Sequence, residues 1–137
     1  MNAVDTNVLI YVHDDREPDK KAAAKELIDS LEDGLLLWQV ACEYIAASRK
    51  LLPQGYTPDD ARKDVDDLRH VWTTSLPKWP VFERSGSLMG RYSLSFWDAL
   101  LVAACLEAGV ETLYSENFSG YNEIDGLKIV NPFRAAE

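Results

Sequence analysis

The segment that most constrains this chain is SFWDALLVAACLEAG, Ser95 to Gly109. Its apolar residues run nearly all the way round a helix, so the helix must be covered on more than one side, as it is when packed on a sheet in a layered fold. Its first turn nevertheless carries Asp98. An unpaired buried carboxylate is costly, which leaves three readings of that residue: a cap on the helix end, the partner of a positive group, or a metal ligand. Ser95 stands at capping-box spacing before it and keeps the first reading open.

Short apolar segments alternate with helical ones along the rest of the chain. A first strand ends near Asp5. Pro18 opens an amphipathic helix with Ala24, Leu27, Ile28 and Leu31 on one face and Gly34 beyond its end. LLLW (35–38) reads as a buried strand leading directly into a helix, QVACEYIAASRKL (39–51). Thr57, Pro58, Asp59 and Asp60 mark the clearest helix start, with Ala61, Val65, Leu68 and Trp72 along its buried face. SLPKWPVF (75–82) reads as a connector with at most a short edge strand, and ERSGSLMGRYSL (83–94) as a helix weakened by Gly86 and Gly90. Further strands are expected at Glu111–Ser115 and in LKIVNPF (127–133), with no hairpin signal read between them. The alternation predicts one α/β domain over residues 1–137, with a central parallel sheet of four to five short strands flanked by helices.

Composition narrows the function. A chain of 137 residues, 47% hydrophobic, is long enough to bury one core. The longest apolar run, Ala99–Leu106, is too short to cross a bilayer, and MNAVDTNVLIYV has neither the basic start nor the cleavage site of a signal peptide. A cytoplasmic protein without a membrane partner is therefore expected. Cys42 and Cys105 fall within apolar helical patterns and read as reduced core thiols. The net charge of −9 excludes a protein that holds a polyanion mainly through a basic surface. One exception stands: carboxylates that gather divalent cations present positive charge to phosphate.

In an open parallel sheet the functional crevice lies beyond the carboxyl ends of the strands. Asp5, Glu43, Asp98 and the triplet Ser115-Glu116-Asn117 all belong to that edge. Asp5 also has a capping reading. Glu43 shares a helical stripe with Val40, Tyr44, Ala47 and Leu51 and has no basic residue at i+3 or i+4 to pair with. Convergence on one cation accounts for all three acids together, and hard cations such as Mg²⁺ or Mn²⁺ take oxygen ligands. His13 and His70 are not in metal-ligand spacing and read as loop and helix residues. No nucleophile elbow or Gly-rich phosphate loop is present. Arg49, Lys50, Arg84 and Arg91 read as solvated positions.

DTNVLIY (5–11), QVACEYIAAS (39–48), LSFWDALLVAACLEAGVETLYSEN (94–117) and GLKIVNPF (126–133), in this order and at these separations, carry a resemblance that spans almost the whole chain. With them the chain resembles the PIN-domain ribonucleases, and within these the VapC-type toxins of bacterial toxin–antitoxin pairs. The resemblance implies a PIN-like α/β/α sandwich, usually a homodimer, with a cognate antitoxin protein as partner. It implies a Mg²⁺- or Mn²⁺-dependent endoribonuclease that hydrolyses RNA phosphodiester bonds with metal-activated water. Asp5, Glu43 and Asp98 match the catalytic, metal-binding acids, and Thr6, Asn7 and Ser115 the supporting residues.

One departure is informative. Relatives commonly carry Ser/Thr-Glu-Asp after the fourth strand, whereas this chain has Ser115-Glu116-Asn117. Asn117 and Glu116 stand as further metal-ligand candidates, one negative charge short, so weakened rather than abolished metal binding is expected. Three alternatives stay open: a catalytically weakened PIN-fold binding protein; a haloacid-dehalogenase-type phosphatase, whose D-x-D motif would need an aspartate where Asn7 stands; and acids with a purely structural role.

Overall fold

In a computed structural model, which describes residues 1–134, the chain alternates strands and helices. The elements run β1 (Asn2–Val4), α1 (Thr6–Tyr11), α2 (Pro18–Ser30), β2 (Gly34–Leu37), α3 (Trp38–Ala47), a 3-10 segment (Ser48–Gln54), α4 (Pro58–Val71), β3 (Thr73–Ser75), α5 (Trp79–Arg91), α6 (Phe96–Glu107), β4 (Thr112–Tyr114), β5 (Glu123–Ile124) and β6 (Leu127–Val130). Ala135–Glu137, the tail of the domain expected from the sequence, lie outside the described residues.

The strands form one sheet in the order β3-β2-β1-β4-β6-β5, parallel except for β5. Chain order first runs outward from β1 through β2 to β3, then returns to place β4 on the other side of β1 with Ala3 opposite Leu113. The switch point therefore lies between the carboxyl ends of β1 and β4, where an open sheet of this kind leaves its crevice. Strand residues Ala3, Val4, Leu35, Leu36, Leu37, Leu113 and Ile129 are buried under helices that contribute Val8, Ile10, Val40, Leu88, Val102 and Cys105. Each fully buried aliphatic side chain contributes about 1.5–3 kcal/mol. Among the described residues no helix is long and apolar enough to cross a membrane.

The fold matches the expected class and adds detail that the sequence reading missed. Among the described residues there are six strands, where four to five were expected. The additional edge strand, Thr73–Ser75, is polar and half-exposed, so it lacks an apolar signature. The other addition is a hairpin: β5 pairs antiparallel with β6 around Asp125 and Gly126, both with positive φ (51° and 91°). Asp-Gly is a strong two-residue hairpin signal and stood in the sequence unread. Helix α5 begins at Trp79, inside the expected connector, because Pro80 sits in the first turn where its missing N–H is not needed. Cys105 is a core thiol, but Cys42 is exposed and not part of the core. Helix α6 buries Ala99, Leu101, Val102, Ala103 and Cys105 and packs along α5, yet Trp97 at its start is exposed. The chain therefore leaves part of its most apolar helix uncovered.

Candidate functional site

Asp5 ends β1 and begins α1. Its Oδ1 accepts the Thr6 N–H at 2.7 Å, so the capping reading is correct for that oxygen. Its Oδ2 accepts from the Ser115 hydroxyl at 2.7 Å, across the switch point from the end of β4. Both residues are buried. Burial pushes the Asp5 carboxyl above the usual carboxylate range; the two hydrogen bonds oppose this, and the negative charges of Glu43 and Asp98 add to it. Asp5 thus feels the charges of two acids that come from distant segments of the chain.

Asp98 lies in the first turn of α6, where its backbone N–H donates to Ser95 Oγ at 3.1 Å. Only half of a capping box forms: Asp98 returns no bond to Ser95, whereas in α4 the equivalent pair, Thr57 and Asp60, bond in both directions. Glu43 does not share the buried stripe of α3. Val40 and Tyr44 point into the core, while Glu43 is exposed beside Cys42, because a residue three positions on from Val40 is rotated to the flank of that stripe. Among the described residues neither the Asp98 nor the Glu43 carboxylate has a hydrogen-bond or ion-pair partner.

The remaining candidates divide. Glu116 is already engaged: Tyr11 Oη donates to one oxygen at 2.6 Å and Lys20 Nζ to the other at 3.0 Å. Asn117 is exposed, and its backbone N–H donates to Ser115 Oγ at 3.1 Å, which fixes the hydroxyl that holds Asp5. Thr6 Oγ1 and both polar atoms of the Asn7 amide are buried without a partner. So is Gln39 Oε1, whose Nε2 donates to the Trp97 carbonyl at 3.1 Å and so ties the start of α3 to the start of α6. No other buried side-chain polar atom among the described residues is left unpaired. An unsatisfied buried group costs about 1–3 kcal/mol, so orphans concentrated at the starts of α1 and α3 mark a place built to receive water, an ion or a substrate oxygen. Gln39 was missed in the sequence because nothing local shows that its amide reaches across to α6.

A hard divalent cation fits this donor set: one restrained carboxylate, two unpaired ones, and neutral hydroxyl and amide oxygens beside them. The protein does not form a closed cage, since among the described residues no three Asp, Glu, His or Cys side chains cluster tightly enough to enclose an ion. Mg²⁺ characteristically keeps several waters and binds through one or two carboxylates, and an open site suits it.

The histidines stay out of this crevice. His13 stacks on Tyr56 with ring centroids 4.4 Å apart, and its Nε2 lies 3.0 Å from Asp64. Tyr56 Oη donates to the same carboxylate at 2.6 Å and hydrogen-bonds Tyr44 Oη at 2.5 Å. Burial lowers the His13 pKa and pushes that of Tyr44 up to about 12, and the cluster ties the segment after α1 to α3 and α4 around one carboxylate. His70 is exposed on α4, as expected. Arg84 pairs with Glu107 and Arg91 with Asp125, away from the acids.

A family model described as "PIN domain" matches residues 3–124. No curated protein matches the chain. Several solved structures share the fold. A toxin–antitoxin complex from Klebsiella pneumoniae superposes with a TM-score of 0.73 at 20% identity, covering 96% of this chain and 98% of that one. The sarcin–ricin-loop-cleaving toxin VapC20 of Mycobacterium tuberculosis gives 0.67 at 19% identity, covering 90% and 98%. Rickettsia felis VapBC2, bound to a DNA fragment from its promoter, gives 0.65 at 14% identity, covering 93% and 96%.

Proposed function

Because this chain belongs to the PIN-domain family, we propose that it is a divalent-metal-dependent endoribonuclease and the toxin of a toxin–antitoxin pair. What supports the reading is that Asp5 stands at the switch point within electrostatic reach of Glu43 and Asp98, and that among the described residues no ion pair neutralises any of the three. Mg²⁺ or Mn²⁺ held by these acids would supply an activated water for in-line attack on phosphorus and stabilise charge on the phosphoryl oxygens. The chain's own part is preorganisation. Thr6 N–H and Ser115 Oγ fix both oxygens of Asp5, so that carboxylate does not reorient as the reaction proceeds. Gln39 links the start of α3, the helix that carries Glu43, to the start of α6, which carries Asp98. Thr6 and Asn7 offer unpaired polar atoms to a water or phosphate oxygen beside Asp5. Lys20 and Tyr11 restrain Glu116 at the rim, leaving Asn117 free to contribute a neutral oxygen.

An uncompensated acidic crevice is also a receptor for a basic side chain. That chemistry, with the toxin–antitoxin neighbours, supports an antitoxin protein that covers the acids with a guanidinium or ammonium group. RNA, by contrast, meets a chain of net charge −9, so its binding depends on the divalent ion.

The test is cleavage of a mixed RNA pool by the purified chain with Mn²⁺, Mg²⁺ or chelator, beside an Asp98→Asn variant. Metal-dependent cuts that disappear in the variant are expected, and the sarcin–ricin loop, which the Mycobacterium neighbour cleaves, belongs in the pool. Asn117, where a carboxylate is expected, favours one second reading: a weakened relative that binds its partner without cutting. Clean metal binding with no cleavage of any RNA would decide for it.

A further inference from the structure

Beside the acid crevice, at the carboxyl ends of β4 and β6, lies a polar cavity of about 260 Å³. Ser115, whose hydroxyl holds Asp5, and Glu116 form the wall it shares with the crevice; Tyr121, Asn122, Asn131 and Arg134 line its other sides. It is smaller than the ~300 Å³ at which pockets for drug-sized ligands begin, a size that suits one flat heterocycle. The loop between β4 and β5 is tied down around it. Phe118 is buried and its carbonyl accepts the Tyr121 N–H at 3.0 Å, while the Asn122 carbonyl accepts the Ile129 N–H of β6 at 3.0 Å. Gly120, at φ 92°, permits the turn. The Tyr121 hydroxyl accepts the Ser93 N–H at 2.9 Å, and its ring stands edge-on to Tyr92 at 5.7 Å. The cavity is therefore preformed.

We infer that this cavity holds an unpaired guanine base of the RNA, beside the phosphodiester to be cut. That RNA enters the crevice rests on the nuclease reading; which base it presents is read from the cavity itself. Tyr114 pairs with Val130, so the residues that follow them, Glu116 and Asn131 included, leave adjacent strand ends side by side. Asn131 Oδ1 accepts the Phe133 N–H at 2.9 Å, which leaves the amide NH₂ as the group offered to a ligand. Arg134 adds guanidinium donors and a plane on which a base can stack. Glu116 supplies the acceptor. Tyr11 donates to one of its oxygens and Lys20 to the other, so the carboxylate is held in place, yet each oxygen keeps a second lone pair.

Of the four RNA bases only guanine matches both walls. Its N1–H and N2 amino group are two adjacent donors for a carboxylate, and its O6 and N7 are two acceptors for an amide or guanidinium. Adenine and cytosine place an unprotonated ring nitrogen beside their amino group, and uracil flanks its one N–H with carbonyls. Each of these would set an acceptor against Glu116. The guanine edge that Glu116 reads is open only when the base is unpaired, which is the state in which proteins usually read RNA sequence.

The test needs neither cleavage nor metal. Isotope-labelled protein is titrated in chelator with guanosine, adenosine, cytidine and uridine and followed by NMR; these nucleosides are uncharged, so the net charge of −9 does not oppose them. Guanosine should bind about tenfold or more tightly than the other three and shift the Asn131 side-chain amide signals. Asn131→Asp keeps an oxygen for the Phe133 N–H but replaces the donors with an acceptor. It should abolish the guanosine preference with an unchanged circular dichroism spectrum. In the RNA pool, cuts should fall beside unpaired guanine. Equal binding of the four nucleosides, no binding of guanosine at millimolar concentration, or a preference that survives Asn131→Asp overturns the proposal. Guanosine selection by a chain that cuts no RNA would uphold the guanine site while the nuclease reading fails. Metal-dependent cuts made without regard to guanine, and without guanosine binding, would overturn the guanine site alone.

Discussion

Ser115 Oγ donates to Asp5 Oδ2 at 2.7 Å, joining two residues 110 positions apart at the ends of neighbouring parallel strands. This bond both orients the Asp5 carboxylate and favours its charged form. Ser115→Ala should therefore weaken metal affinity or cleavage by about 10- to 100-fold, the usual cost of losing a group that holds a ligand in place. The acid limb of the pH–rate profile should also move to higher pH, a shift that a general loss of stability would not produce.

Asp5 itself makes a stability prediction. Its folded pKa is raised from 3.8, chiefly by burial, so below that value both states hold the proton and nothing is lost. As pH rises through 3.8 toward the raised value, the unfolded chain ionises first and the folded state loses stability, a loss that is complete above the raised value. Asp5→Asn should raise the Tm in chelator at pH 7 and confer no such advantage below pH 3.8. Added Mn²⁺ should stabilise the wild type by about 2.7 kcal/mol at a hundred times its Kd and leave the variant nearly unchanged. Calorimetric scans over pH, with and without metal, check both statements.

Asn117→Asp restores a carboxylate on an exposed residue whose backbone position is already fixed by its N–H bond to Ser115. Ligand charge tunes the affinity of oxygen sites, so Mn²⁺ should bind on the order of tenfold more tightly. Titration calorimetry reads this directly. Equal affinities would mean that Asn117 lies outside the metal's reach.

Gly34 begins β2 against the indole of Trp72; a Cβ there would stand 2.2 Å from Trp72 Cε2. Gly34→Ala should cost about 1–3 kcal/mol from overpacking, measured by denaturant unfolding. Adding Trp72→Leu should recover part of that loss, because the two positions share one contact.

Asp5 was readable because it follows a strand end and Asp98 because it opens a helix, positions that sheet topology sends toward one edge, whereas Glu43 lies well along α3. The local settings of the acids were not readable. Asp60 and Asp98 occupy the same capping spacing, yet only Asp60 returns its bond, a difference that appears only when the helix starts are built. Glu116 looks as free as Asn117 in sequence, but Lys20 and Tyr11, 96 and 105 residues away, take its oxygens. The His13, Tyr56 and Asp64 cluster was hidden for the same reason: its members lie on different elements, and no periodicity links them. The Asp125-Gly126 turn is a different case, a local signal that was present and unread.

The pairing of β1 with β4 also governs when the crevice comes into being. Asp5 leaves the ribosome before the hydroxyl that seats it and the helix that carries Asp98, which are synthesised roughly a hundred residues later, and long-range strand pairing is slow to form. A growing chain thus holds Asp5 without Asp98 and Ser115 until α6 and β4 have followed it. A protein proposed to cut RNA is, by its own topology, unarmed while it is still attached to the RNA machine that makes it.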